Sequence, residues 1–145
     1  LEARVGYLRA RFQEQPPLTV FYQLWHQPLI TSNRSQLIDR IVRLCGGRNI
    51  FADRPEIAPR VNLEAVIAAD PDVILSGVEK HDPQWRAQWQ RWTQMKAVKH
   101  GFLFATDADQ IHRATLRALA GAEAVCEQFD QARQTLTAEP QSRGD

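Results

Sequence analysis

Cysteine is nearly absent from this chain: Cys45 and Cys126 are the whole supply. Neither lies in a CxxC pair or has a histidine close by in sequence, so neither a zinc site nor an activated thiol is indicated. Glycine is also sparse, at seven residues, spread singly apart from Gly46-Gly47. No GxGxxG, GxxxxGK or GxSxG occurs, so a dinucleotide fold, a P-loop and a nucleophile elbow lose their usual signatures. No apolar run approaches the roughly 18 residues that a membrane-spanning helix needs. Charge of one sign is lacking as well. The net charge is +1 with the arginines scattered, so no long-range field draws nucleic acid or an anionic membrane. The four histidines fall in four separate segments, mostly beside Gly, Pro or Asp, where a solvated ring is the ordinary outcome. An enzyme reading has little to stand on.

What is present describes one domain with one core. Hydrophobic residues make up 43% and charged residues 24% of 145 positions, the balance of a soluble globular fold. The chain begins at Leu1 rather than methionine, the pattern of a processed or truncated chain, so the lack of a signal peptide in view does not exclude export. The tail TAEPQSRGD is polar, aperiodic and expected to fray.

Periodicity sets out alternating elements. LEARVGYLRARFQEQ reads as the uncapped end of a longer helix, stopped by Pro16-Pro17. LTVFYQLW reads as a strand, and HQPLITSN as a loop. Ser32 or Asn33 is expected to cap a helix on which Ile38, Ile41, Val42 and Cys45 share a face. Gly46 or Gly47 should take the left-handed conformation that ends it. RNIFADRPEIAPRV is a long connection. Asn62 caps the helix LEAVIAA and Asp70-Pro71 closes it; DVILSG is a buried strand. PQWRAQWQRWTQM predicts a helix with Trp85, Trp89 and Trp92 on one side, most simply packed on the sheet. GFLFAT is a further strand. A last helix from about 107–109 to 136 carries Ala118, Ala122, Val125, Cys126 and Phe129 as its stripe. No internal repeat is visible. Strands alternating with helices imply a three-layer α/β domain with a mostly parallel sheet. The two thiols are either separately buried or, if their helices share a sheet face, bonded to each other.

In parallel α/β sheets, ligands collect at the carboxyl ends of strands. LWHQPLIT places Trp25, Pro28, Leu29 and Ile30 in a loop at such an end, where they either cap the core or face a ligand. TDADQIHR follows the last strand, with Asp109 and Arg113 four apart on one helical face. They form either a surface ion pair or a donor–acceptor pair for a polar, amide-rich ligand. Glu64 sits in a first helical turn, where the dipole favours a carboxylate.

LIDRIVRLCGGRNIF, then APRVNLEAVIAADPDVIL, then W…W…M.AVK.G.LF and the final R…R…GAEAVC run resemble the C-terminal lobe of periplasmic cobalamin-binding proteins. These are class III substrate-binding proteins of ABC importers, related to haem and siderophore binders. The similarity runs over about residues 17 to 130. It implies a Rossmann-like lobe over 16–136, with residues 1–15 ending a stiff helix that joins two lobes and 137–145 a disordered tail. Ligand would sit between the lobes, so one lobe supplies at most half the contacts. The resemblance pairs Cys45 with Cys126 in a disulfide, which belongs to an oxidising compartment and hence the periplasm. It places ligand contacts at Leu24, Ile30, Ala58, Asp109 and Arg113, to which the reading of the apolar loop adds Trp25, Pro28 and Leu29. Aromatic positions of the family have become Leu24, Ile30 and Ala58, with Trp25 a nearby ring, while Asp109 and Arg113 are kept. Glu64 matches the glutamate that docks on the membrane permease. The implied protein is a non-catalytic importer component without cofactor or resident metal, and without nucleic-acid partner. It meets the membrane only through permease subunits, and its cargo is cobalamin or another corrinoid. Haem or a ferric siderophore is the alternative cargo. A lone lobe serving as an interaction module or homodimer is the other.

Overall fold

In a computed structural model, the described residues are 6, 7, 10, 11, 17–33, 36–107 and 116–138. Four short parallel strands form one sheet in the order β2-β1-β3-β4. They are β1 (Leu18–Gln23), β2 (Gly47–Asn49), β3 (Val73–Ser76) and β4 (Leu103–Ala105). Packed around it are the helices α1 (Leu37–Leu44), α2 (Leu63–Ala69), α3 (Trp85–Gln90), α4 (Lys96–Lys99) and α5 (Leu116–Ala138), and residues 6, 7, 10 and 11 are also helical.

Strand side chains alternate between two faces, and the two cores follow from that. Leu18, Val20 and Tyr22 of β1 join Val73 and Leu75 of β3 against α1 and α5, meeting Ile38, Ile41, Val42, Val125 and Phe129. Phe21 and Ile74 point the other way, to Val66 of α2, Trp85 and Trp89 of α3, and Ala97 of α4. The expected three-layer sheet is thus observed. A clamp fixes the register of β1 and β3 at their amino ends. The Thr19 amide and hydroxyl donate to Asp72 Oδ2 at 3.0 and 3.1 Å, and the Asp72 amide donates back to Thr19 Oγ1 at 2.9 Å.

Several caps stand as expected. Asn62 Oδ1 accepts from the Ala65 amide at 2.7 Å, and Asp70 ends α2 in the left-handed region at φ 48°. Gly46, at φ 81°, turns the chain out of α1. Gly47 serves a different need: a Cβ there would lie 2.9 Å from both Phe129 and Val42 side-chain atoms.

Four expectations are corrected. Gly47–Asn49 is a strand, not part of a structureless connection. Neither Ser32 nor Asn33 caps α1, which begins after Gln36 without a side-chain cap. Their backbone runs beside residues 57–59 instead, with the Asn33 amide donating to Ile57 O at 3.0 Å. The tryptophan helix stops at Gln90, so Trp92 packs on the core from the following turn. The last helix continues to Ala138, into the stretch expected to fray. Where it begins, and residues 139–145, lie outside the described residues, as do most of residues 1–15.

The two sulfurs meet. Cys45 and Cys126 form a disulfide with Cα atoms 4.6 Å apart, closing a separation of 81 residues. Arg133 of α5 reinforces it: its Nη2 donates to Cys45 O at 2.6 Å within the buried interior. Burial lowers the Arg133 guanidinium's proton affinity, and nearby Asp130 partly offsets that.

Two outcomes follow. The chain-entropy model assigns about 4.5 kcal/mol to a loop of this length, and delivered values run about 2–4 kcal/mol. Replacing both cysteines (Cys45→Ala with Cys126→Ala) therefore lowers unfolding stability by about 2–4 kcal/mol in urea titrations; an unchanged midpoint would show the bond to be idle. The Tyr22 hydroxyl is buried with no hydrogen-bond partner among the described residues, and burial pushes its phenol well above the ordinary range. The folded state then keeps a proton that the unfolded chain releases, so this stability is whole below about pH 10 and falls as pH rises further. Tyr22→Phe flattens that alkaline slope while changing stability at neutral pH by less than about 1 kcal/mol, both read from denaturation curves.

Candidate functional site

The strand order changes direction at β1 and β3: from β1 the chain steps outward to β2, then crosses back to β3 on the other edge. Connections leaving the carboxyl ends of β1 and β3 therefore part in opposite directions and leave a crevice between them. After Gln23, residues 24–30 close a tight hairpin. The Leu24 amide donates to Ile30 O at 2.8 Å, and Trp25 and Ile30 exchange backbone hydrogen bonds at 3.2 Å. The hairpin is braced from outside, since Ile30 bridges to Arg60 and the Val61 amide donates to Leu29 O at 3.0 Å.

An open groove of about 510 Å³ results, lined by Leu24, Trp25, Pro28, Ile30, Gly77 and His81. Trp25 keeps 44% of its surface exposed and faces the His81 ring at a centroid distance of 5.7 Å. Gly77 and His81 also line a second groove, of about 370 Å³, over the ends of β3 and β4. The two form one cleft with an apolar half and a polar half.

Charges in the polar half are held in pairs. Lys80 Nζ lies 3.4 Å from Asp107 Oδ2. Glu79 Oε1 accepts from Arg86 Nη1 at 2.7 Å and from Trp85 Nε1 at 3.2 Å. Those donors, the indole first, hold the Glu79 carboxyl below the usual carboxylate range, outweighing its slight burial. Beneath the hairpin, fully buried Gln23 accepts from Trp89 Nε1 at 3.1 Å, and its amide nitrogen lies 3.5 Å from His26 Nδ1. A buried indole N–H needs such a partner, and here it joins α3 to the strand that carries the hairpin.

Of the expected contacts, Leu24, Trp25, Pro28 and Ile30 come together. Leu29 instead turns to a separate groove with His26, Leu63 and Trp89, packing on the core of that face. Ala58 is exposed on the brace and is absent from the lining of these grooves. Asp109 and Arg113 lie outside the described residues. Glu64 is exposed in the first turn of α2. Sequence reasoning missed Gly77 and His81. The rule that ligands gather at strand carboxyl ends, applied to β3 as well as to its neighbours, would have found them. Among the described residues no cluster of three His, Cys, Asp or Glu could hold a metal ion, and no helix is long and apolar enough to cross a membrane.

The periplasmic binding protein family model matches residues 2–110, and the chain belongs to that family. It is 35% identical over 123 residues to a vitamin B12-binding protein of Vibrio vulnificus, covering 84% of this chain and 44% of the relative. A vitamin B12-binding protein of Yersinia pestis is 34% identical over 126 residues, covering 86% and 43%. Among solved structures, the periplasmic vitamin B12 binding protein of Vibrio cholerae superimposes with a TM-score of 0.80 at 31% identity, over 91% of this chain and 51% of that one. The periplasmic haem-binding protein of the same organism superimposes at 0.75 and 18% identity, covering 88% and 52%, a likeness of fold alone. The chain thus spans about half the length of the relatives it matches.

Replacing Gln23 with leucine strands the Trp89 N–H in the core. Gln23→Leu is expected to cost about 1–3 kcal/mol of unfolding stability, measured by urea denaturation. A neutral result would mean that the indole finds another acceptor.

Proposed function

We propose that the chain forms one lobe of an extracytoplasmic solute-binding protein that captures cobalamin or a related metal chelate and presents it to the permease of an ABC importer. The observation that carries this reading is the apolar half-cleft at the carboxyl ends of β1 and β3, where a half-exposed tryptophan stands among Leu24, Pro28 and Ile30. Such a surface offers a flat wall to the face of a macrocycle. Apolar burial at about 25 cal/mol per Å² supplies affinity, and a few polar groups fix orientation. Asp109 accepts from and Arg113 donates to polar groups on the ligand rim. Membership of the binding-protein family and identity of about a third to vitamin B12 binders support the cargo class. The disulfide supports an oxidising compartment,.

Glu64 is assigned to the permease. Its carboxylate is exposed, and it stands one residue beyond Leu63, which lines the groove on the far side of the hairpin. A charge at such a rim steers docking more than it holds ligand.

One wall of a cleft binds less tightly than two. A sub-micromolar complex requires more than about 8 kcal/mol, so this chain alone should bind cyanocobalamin with a dissociation constant above about 1 µM. An amide NMR titration is expected to shift Leu24, Trp25, Ile30 and His81 saturably, with loss of the response in Trp25→Ala. No saturable shift at millimolar ligand would overturn the reading, and nanomolar binding would overturn the half-cleft argument. In cells that depend on this importer, Glu64→Ala should lower uptake while ligand affinity stays unchanged.

A further inference from the structure

The last strand of an open sheet has one bonded edge and one bare edge, and a bare edge is a template for another strand. Strand β4 stands at such an end. It pairs with β3 through the Phe102 carbonyl, which accepts from the Ile74 amide at 3.0 Å, and the Thr106 amide, which donates to Ser76 O at 2.8 Å. Backbone groups alternate between the two edges of a strand, so the carbonyls of Leu103 and Ala105 point outward. Side chains occupy both of them. Arg86 Nε of α3 donates to Leu103 O at 2.9 Å, and Gln128 Nε2 of α5 donates to Ala105 O at 3.3 Å. The two donors come from helices on opposite faces of the sheet. Arg86 is itself anchored, by Glu79 Oε1 at 2.7 Å and by lying over the Trp85 ring at 4.6 Å. The strand's own residues, Leu103-Phe104-Ala105, include neither a charge nor a proline, the usual means of blunting an edge.

We propose that Arg86 and Gln128 form a clasp that closes the outer edge of β4 to strand addition, and that the partner it excludes is β4 of a second copy of this chain. Two copies meeting on the same edge are related by a twofold axis, which makes the new pair antiparallel. An added strand needs the outward carbonyls as its acceptors. It would also lie about 4.8 Å from β4, in space that the guanidinium and the carboxamide already cross from both faces. A second copy must therefore displace two donors, one of them anchored at two further points. The closure bears on the site as well. Ala105 and Glu79 line the polar groove over β3 and β4, so a strand laid along this edge would run past the mouth of the cleft. Glu79 holds the same guanidinium that covers Leu103 O, so the groove lining and the clasp share one side chain.

Sedimentation equilibrium and amide hydrogen exchange on the chain test this together. Arg86→Met with Gln128→Met keeps the apolar stems and removes both donors. That variant should self-associate at roughly 100 µM, with exchange of the Leu103 and Ala105 amides slowed about tenfold or more. In the wild-type chain exchange at these two amides should not depend on protein concentration. Adding Ala105→Pro removes an outward amide at an edge position that tolerates proline, and it should return the double variant to monomer. Urea titration checks that each variant is folded. A folded double variant that stays monomeric overturns the clasp. So does self-association that survives Ala105→Pro or leaves the Leu103 and Ala105 amides unprotected. If the double variant does not fold, Arg86→Met and Gln128→Met are read singly at roughly 1 mM, where monomers in both cases overturn the proposal.

Discussion

A parallel strand paired on both edges cannot receive its neighbours through hairpins; the chain must cross a face of the sheet to reach each one. Strand β1 is held this way, by β2 on one edge and β3 on the other. The crossing to β2 uses α1 on one face, and the crossing to β3 uses α2 on the opposite face. The carboxyl ends of β1 and β3 are therefore left with connections running apart, and the crevice between them is a consequence of strand order rather than of any special residue. Loop chemistry decides only what the crevice is lined with. Here the lining is apolar over β1 and polar over β3 and β4, because a tryptophan- and proline-bearing hairpin follows the first and charged turns follow the others.

Gln23 shows how the sheet and its cleft are held to one geometry. It occupies a fully buried position on the face covered by α3, where an aliphatic side chain would be the usual occupant,. Its carbonyl end ties it to Trp89, and its backbone oxygen accepts from the Gly77 amide at 3.0 Å. One residue therefore positions the helix beneath the cleft, the start of the hairpin and the exit of β3. Low polarity around these bonds strengthens them and makes their loss costly. Its place at the base of the site connects its burial with rigidity of the lining rather than with direct contact.

Much of this was legible in the chain, and the failures have physical causes. Helical spacing located α1 and α5 because each buries one stripe, the Asn62 cap and the Asp70-Pro71 stop located α2, and continuous apolar runs located β3 and β4. Strand β2 escaped because Gly47-Arg48-Asn49 has no strand propensity of its own. It is a strand because β1 offers it an unpaired edge and Phe129 leaves space only for glycine. Ser32 and Asn33 imitate helix caps, yet their backbone polar groups are claimed by the 57–59 segment and by Asn49, whose side-chain amide donates to Ser32 O at 2.7 Å. Trp92 stands at helical spacing from Trp85 and still reaches the same core, so spacing recorded its contact without recording its backbone. At the site, the apolar hairpin was readable as an anomaly of composition. The role of His81 was not, because what singles it out is proximity to Trp25 across two different loops.

The stretch around Cys45 bears on function from a distance. Leu18 at the start of β1 donates its amide to Gly46 O at 3.2 Å, which puts the disulfide at the amino end of the sheet, opposite the cleft. The strongest fastenings cluster there: the covalent bond, the buried Arg133 donating to Cys45 O, and the Thr19–Asp72 clamp. The carboxyl end carries the half-exposed Trp25 and the open apolar wall around it. Exposed apolar surface weakens a fold where it stands, and a small domain has little stability to lose. Fastening one end of a parallel sheet so firmly lets the other end keep an apolar wall open to solvent. The cysteines need not touch a ligand to matter for binding, because they stabilise the framework on which that incomplete surface is built.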